Sequence, residues 1–582
     1  MEENDMKTIK PTQARVASVL TVLASALIIA GCGGGGSSSG GDTSGTAPGI
    51  DAPEAPQLAL DVQATKTFQF SWSAVEGATE YTLLENPDGQ SGFTEVASID
   101  AGETAYPHTV FLPRRVNALY MLEACNSGGC TASTSVAVSG NLAEAVGYFK
   151  ASNTGEADVF GRSVALSADG ATLAVGADAE GSESTTINMG QDNDDGLSNG
   201  AVYVFSRAPS GWAQEAYIKP STTRSYAYFG ISVALSADGS TLAVGTNNGN
   251  RAYVFTRDGA DWREQALLEK PSAANTGFGR DLALSSDGDT LAIGAPRAGD
   301  PSNQGSSHGS GEVYVFVRNG ADWDEQVALE PFRYPQDEDQ FGWAVALSGD
   351  GDHLAVGAPE QDNDSAGVNG SSDGFATDSG AVYTFSREAD NWQAGDYIKA
   401  SNSGADDRFG YSVAVSTDGR TLAVGALQED GDADAAIVSG AAYVFTRDTA
   451  GWSEQGYLKA ANGDAYDRFG TSVSLSADGD TLAVGASDER SNAVGINGAQ
   501  DDNSAASGAA YLFSRHGGVW AQQAYIKPSN TDANDSFGTA VTLASDGATL
   551  AVGAIREDSN ATGVNGDQDD NSAERAGAVY LY

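Results

Sequence analysis

Between residues 145 and 582 one unit recurs seven times, and repetition of this kind decides a fold before local propensity does. Its marker is a Phe-Gly pair, at Phe160, Phe229, Phe278, Phe341, Phe409, Phe469 and Phe537. Each pair leads into a short strand such as Ser163-Val164-Ala165-Leu166-Ser167. An Asp-Gly follows in every unit, at Asp169, Asp238, Asp287, Asp350, Asp418, Asp478 and Asp546, and that dipeptide favours the positive φ of a tight hairpin. A second strand comes next, such as Thr172-Leu173-Ala174-Val175-Gly176-Ala177, then a loop of variable length. A third strand such as Gly200-Ala201-Val202-Tyr203-Val204-Phe205 follows it, then Trp212 and a fourth such as Ala216-Tyr217-Ile218-Lys219.

Four strands per unit and seven units predict an all-β fold, a seven-bladed β-propeller. The ends of the chain agree with a ring. The last unit stops at its third strand, Gly577-Ala578-Val579-Tyr580-Leu581-Tyr582. The missing fourth strand stands at the start, where Gly147-Tyr148-Phe149-Lys150-Ala151-Ser152 is similar to Asp396-Tyr397-Ile398-Lys399-Ala400-Ser401. The expectation is closure by the N-terminal strand, which leaves no orphan edge. Trp212, Trp262, Trp323, Trp392, Trp452 and Trp520 precede the internal fourth strands and are expected to pack between blades.

Phe-Gly followed by Leu-Ala-Val-Gly-Ala resembles the FG-GAP repeat of integrin α-subunit propellers and their bacterial relatives, over residues 145–582. Integrin-type repeats often carry a long Asp-rich calcium loop between the first two strands. Here a bare Asp-Gly turn takes its place, so the resemblance brings no calcium to that loop.

The segment before the repeats divides in three. From Met6 a basic stretch precedes an apolar run, Val16 to Ala30, too short for a comfortable membrane span, which reads as a secretory signal. It ends Ile29-Ala30-Gly31-Cys32, which resembles the bacterial lipobox. The resemblance implies lipid on Cys32 and, with Gly33 next, the outer membrane of a diderm bacterium, facing outward or toward the periplasm. Residues 1–32 are then signal and anchor. Residues 33–50 are a Gly/Ser-rich tether. Residues 51–140 show short alternating runs separated by turns, a small β-sandwich preceding the propeller. Trp72, the Tyr81 strand and the segment Tyr120–Asn126 resemble strands of a fibronectin type III domain. Cys125 and Cys130 flank Asn-Ser-Gly-Gly, a hairpin short enough for a disulfide in an exported compartment.

Charge excludes several functions. With 79 Asp+Glu against 31 Lys+Arg the formal net charge is −48, which repels phosphate backbones and anionic headgroups. Nucleic-acid binding is therefore not expected. The 4 His and 3 Cys fall at no zinc or Cys–His spacing. Cations are the natural small partners, and no organic cofactor is implied. The loops between strands two and three hold Asp192-Asn193-Asp194-Asp195, Asp362-Asn363-Asp364, Asp430-Gly431-Asp432-Ala433-Asp434, Asp501-Asp502-Asn503 and Asp567-Gln568-Asp569-Asp570-Asn571, in units 1, 4, 5, 6 and 7. Their oxygens suit Ca²⁺, although none is a full twelve-residue calcium loop; solvated acid is the alternative. In the same five units an Asp stands two residues before Phe-Gly: Asp158, Asp339, Asp407, Asp467 and Asp535. Units 2 and 3 have Ala227 and Thr276 there and lack the loop acids. The coincidence predicts that each Asp joins its own blade's acidic loop in a calcium site; an Asx-turn ahead of strand one is the alternative.

No Ser/His/Asp set or phosphate-cradling Gly loop stands out, and the sialidase box spacing is absent. Carboxylates abound, which leaves glycosidase chemistry open on composition, but they recur blade after blade where an active site singles out unique residues. The reading is a non-enzymatic, lipid-anchored adhesion or recognition protein with a monomeric head, whose acidic long-loop face meets a protein or glycan. An envelope scaffold and a carbohydrate-active enzyme are the competing classes.

Overall fold

The Val-Gly or Ile-Gly near the end of each second strand and the Phe-Gly that opens or leads into each first strand meet across every boundary between neighbouring units. In the computed structural model, a Cβ on Gly176 would run into the carbonyl oxygen of Gly230. The same collision joins Gly245 to Gly279, Gly294 to Gly342, Gly357 to Gly410, Gly425 to Gly470, Gly485 to Gly538 and, closing the circle, Gly553 to Gly161. The Phe-Gly glycine also has a positive φ, +91° at Gly161 and +93° at Gly470, which L side chains avoid. One glycine is thus required by backbone conformation and the other by backbone proximity. Residues 50–193, 196–270, 275–299, 309–371, 374–431 and 438–582 are described, and residues 51–582 form one unit.

Among the described residues, seven four-stranded antiparallel sheets lie around that circle. Unit 1 is typical, with strands Phe160–Leu166, Thr172–Ala177, Ala201–Ala208 and Gly211–Ile218 paired in sequence order. Its second strand is buried throughout. Leu173 and Val175 pack on Phe149 and Phe160, whereas Ala174 packs with Val202 and Val204 against Phe229 and Leu242 of unit 2. A strand covered on both faces reads as a continuous apolar run, which is why Leu-Ala-Val repeats without polar alternation. Each Phe of Phe-Gly stands edge-on to the tyrosine of its own third strand, as in Phe160–Tyr203 at 5.4 Å and Phe469–Tyr511 at 5.3 Å. The tryptophans bridge units by their indole N–H: Trp262 donates to Glu215, Trp392 to Gln326 and Trp520 to Gln455.

The last sheet joins Phe537–Leu543, Leu550–Ala554 and Ala578–Leu581 to Gly147–Phe149, with Tyr580 opposite Tyr148. Two smaller sheets precede it in the chain. One runs in the order Ala59–Gln63, Thr67–Ser71, Ala105–Thr109. The other runs Thr94–Asp100, Glu80–Asn86, Leu119–Asn126, Gly129–Ala132, with Val136–Ala137 also on Leu119–Asn126. Phe68, Phe70, Trp72, Tyr81 and Tyr120 fill the space between them, and Cys125 and Cys130 are disulfide-bonded.

These two sheets also complete the ring. In units 2, 3 and 5 the threonine that opens the second strand accepts from an arginine at the end of the next unit's third strand: Arg318 to Thr241 at 2.8 Å, Arg387 to Thr290 at 3.3 Å and Arg515 to Thr421 at 3.4 Å. Thr481 of unit 6 instead accepts from Arg114, at 2.9 Å, and Thr549 of unit 7 from Lys66, at 2.7 Å. Lys66 lies in the turn between Ala59–Gln63 and Thr67–Ser71 and Arg114 ends the 3-10 helix Leu112–Arg114, so connections of the small sheets seat on the edge of units 6 and 7 toward the Asp-Gly turns. Among the described residues no helix is long and apolar enough to cross a membrane.

Gly485→Ala should destabilise the protein by about 1–3 kcal/mol or more, because backbone on both sides of the contact must move. Gly102→Ala, where nothing lies within 4 Å of the added carbon, should be near neutral. Urea unfolding of both variants checks the contrast, and equal midpoints would refute it.

Candidate functional site

The five aspartates before Phe-Gly are buried, and each accepts a hydrogen bond from the backbone N–H three residues earlier: Gly155 to Asp158, Gln336 to Asp339, Gly404 to Asp407, Asp464 to Asp467 and Asp532 to Asp535. Each lies beside a residue that sequence reasoning missed. Four residues after the Val-Gly glycine stand Glu180, Gln361, Glu429, Glu489 and Glu557, all buried. Each of the four glutamates meets a lysine from its sheet's fourth strand. Lys219–Glu180 spans 2.9 Å, Lys459–Glu429 2.6 Å, Lys527–Glu489 2.9 Å and Lys150–Glu557 2.7 Å. In unit 4 the neutral Gln361 replaces Glu, and Lys399 donates to the Asn363 carbonyl and the Ser379 hydroxyl. A tyrosine two residues before each lysine donates to the same acid or amide, as Tyr525 does to Glu489 at 2.8 Å.

Units 2 and 3 have Gly249 and Ala298 at the acid position and Glu269 and Glu330 at the lysine position. The five-to-two division that pointed to calcium is therefore also the division of an internal Lys–Glu–Tyr network. Burial, with the neighbouring acids, pushes the carboxyls of Asp339, Asp467 and Asp535 up to about 7, and that of Asp407 to about 6. Burial likewise pulls Lys399 down to about 7. Asp339 faces Asp362, Asp407 faces Asp430 and Asp467 faces Asp502 of their own acidic loops, whereas the acids acting on Asp535 are Glu557, Asp532 and Asp558, outside its loop run; like charge in each case favours a proton on the buried carboxyl.

The loop residues themselves lie at the surface. Asp192, Asp364, Asp501, Asn503, Asp567, Asp569 and Asn571 are exposed, and Asp362 and Asp430 half-buried. Several are held in local turns: Asp567 accepts from the Asp569 N–H, and Asn571 donates to Asp532. Cys32, Asp194, Asp432 and Asp434 lie outside the described residues. Among the described residues, the one set of three ligand atoms within 4.8 Å is Glu123 with Cys125 and Cys130, whose sulfurs are already bonded to each other.

The repeats differ at the centre of the ring. The first strands of all seven units line a central cavity of about 240 Å³, and the residue after each Phe-Gly reaches it: Arg162, Ile231, Arg280, Trp343, Tyr411, Thr471 and Thr539. Seven equivalent positions hold five residue types. At the long-loop end the cavity adjoins a second one of about 700 Å³, lined by Arg162 and Tyr411 together with Tyr466, Arg490, Asp502 and Arg556. The Arg280 guanidinium lies 4.0 Å over the Trp343 ring, and Trp343 and Tyr411 are 5.6 Å apart and tilted by 45°. Asp281, also lining the channel, accepts from the Ser232 hydroxyl and the Val345 N–H. The arrangement is a polar, aromatic-floored cup with guanidinium groups on its walls, suited to binding.

A ring of four-stranded antiparallel sheets around a lined channel defines a β-propeller. The FG-GAP repeat family matches residues 262–316, 323–385, 392–445, 452–513 and 520–582, just over half of the sequence, and the chain belongs to that family. No curated protein matches it in sequence. Among solved structures, the β-propeller domain of Cps50 (Swd1) from Myceliophteria thermophila is similar at 11% identity and a TM-score of 0.42, covering 72% of this chain and 95% of that one. Hydrazine synthase of Kuenenia stuttgartiensis is similar at 11% identity and a TM-score of 0.41, covering 69% and 92%.

Removing one partner of a buried ion pair leaves an uncompensated charge, so Lys527→Met should cost about 3–5 kcal/mol. Adding Glu489→Gln to it should recover much of that loss, since unit 4 carries Gln361 naturally; a double-mutant cycle by chemical unfolding measures the coupling. The raised aspartates give a pH dependence of known sign. Between their unfolded value near ~3.9 and about 7 the native state holds protons that the unfolded chain has lost, so their contribution to stability falls as pH rises through that window. Asp535→Asn should be more stabilising at pH 8 than at pH 5, by about 1 kcal/mol or more, read from melting temperatures at the two pH values.

Proposed function

We propose that this chain is an extracytoplasmic recognition protein, held to a membrane by lipid on Cys32, whose head binds its ligand at the long-loop end of the central channel. The head is read as a seven-bladed propeller, supported by the count of four-stranded sheets. The two sheets before it are read as a fibronectin type III-like sandwich, supported by the facing of a three-stranded sheet on a five-stranded one and by the packed Trp72 and Tyr81. The lipobox-like Ile29-Ala30-Gly31-Cys32 supports the anchor and an outer-membrane location. The observation that carries the reading is the variation at the channel mouth. Residues that build the ring recur from unit to unit, whereas those after Phe-Gly differ, as they must where one asymmetric ligand is bound. Calcium belongs to this proposal as an ion that orders exposed loop acids such as Asp501 and Asp567, away from the buried aspartates, whose protons and lysine neighbours oppose it.

The test is binding of the full-length chain to arrays of glycans and envelope proteins, beside a Trp343→Ala/Tyr411→Ala variant and an Arg420→Ala control at an Asp-Gly turn. Ligands retained by the control and lost, by roughly tenfold or more in affinity, in the mouth variant support recognition at the mouth. Ligands retained by the mouth variant and lost by the control would move the binding face to the Asp-Gly side and favour an envelope scaffold.

A further inference from the structure

The mouth holds a concentration of positive charge that the rest of the chain contradicts. The two adjoining cavities are lined by five arginines and three aspartates in a protein of net charge −48. Arg468 is answered by Asp488 at 3.1 Å, and Arg162 only loosely by Asp178 at 3.8 Å. Arg280, Arg490 and Arg556 make neither an ion pair nor a side-chain hydrogen bond among the described residues. Arg280 has the Trp343 ring on one side and the Arg162 charge nearby, with Asp281 and Asp178 acting on it through space but within no ion-pair distance, and it sits deep enough that burial brings its pKa down to about 10, still protonated at neutral pH. Asp178 and Asp281 offset part of the repulsion between the two guanidinium groups without bonding Arg280, whose planar fork is left with its donors unused and suits the paired oxygens of a carboxylate or sulfate.

The rest of the lining narrows the class of anion. Trp343 and Tyr411 form a continuous aromatic floor, Tyr466 is 48% exposed at the rim, and Thr471, Thr539 and Ser536 place hydroxyls on the walls. Aromatic faces beside hydroxyl donors and acceptors match a sugar ring, with its apolar C–H face and hydroxyl edge, better than the side chains of a peptide. The exposed acids of the surrounding loops repel a long polyanion. Screening over about 8 Å at physiological salt leaves a single acidic residue or a short chain end subject mainly to the mouth itself.

Resting on the recognition reading above, we propose that the channel mouth binds an acidic saccharide, its carboxylate or sulfate held by the unanswered arginines and its ring seated along Trp343 and Tyr411.

Calorimetry on the full-length chain with a trigalacturonate, a sulfated trisaccharide, a neutral trisaccharide and triglutamate tests this. The expected result is saturable binding of at least one acidic saccharide, weakened by added NaCl, with none for the neutral sugar; which of the two binds distinguishes carboxylate from sulfate. Arg280→Gln should weaken binding by roughly tenfold or more and Arg280→Lys by less, with unchanged melting temperatures. Arg556→Gln serves the same purpose if the Arg280 variants do not fold. No acidic saccharide bound at millimolar concentration, or binding untouched in a folded arginine variant, would overturn the proposal, and triglutamate bound as tightly would make the partner an acidic peptide. A ligand from the arrays that depends on Trp343 and is not displaced by acidic saccharides would overturn this inference and leave recognition at the mouth standing.

Discussion

The close approach of two glycine backbones at each boundary between sheets is the constraint on which the ring depends. A side chain on either would hold neighbouring sheets apart, and seven such errors around a circle could not close. Gly553 against Gly161 is the same contact made between the last unit and the first. The two halves of the repeat signature thus describe a single contact seen from its two sides. Once the backbones are that near, the second strand is covered on both faces, and Leu-Ala-Val is what such a strand can bury without unpaired polar groups.

Within this apolar ring, five sheets carry a lysine, buried in all but the half-buried Lys459, and a buried acid or amide at the end where the long loops emerge. Burying a charge is costly, and the cost is contained because each Lys–Glu pair is also bonded by tyrosine, asparagine or serine, as Lys527 and Glu489 are by Ser507, Tyr525 and Asn462. The pairing lies within one sheet, so it fixes where each long loop leaves its blade rather than how blades join. Units 2 and 3, without it, reach the same fold. The network is therefore an addition to the glycine contact and not a substitute for it.

A repeated scaffold with non-repeated residues at its centre is how a symmetric fold acquires an asymmetric surface. The first strands converge on the axis, so one substitution per unit, immediately after Phe-Gly, is enough to place Arg162, Arg280, Trp343 and Tyr411 around one opening. Net charge gives no hint of this. A total of −48 describes the outer loops, while the mouth gathers arginines.

The all-β repeat architecture and its FG-GAP character could be read from the sequence alone, because the signature glycines, the Asp-Gly hairpins and the strand period are local and occur seven times. The five-to-two division of the aspartates was also visible, but its meaning was not. Asp467 and Lys527 are separated by sixty residues, and only strand pairing shows that the cation beside the buried acids is supplied by the chain itself. A fuller comparison of units would have found Glu180, Glu429, Glu489 and Glu557, which follow the Val-Gly glycine at a constant interval and vanish in units 2 and 3. The channel mouth was out of reach. Its residues come from the position after each Phe-Gly and from loops of neighbouring units, look like ordinary variation within a repeat, and become neighbours only because the ring brings them together.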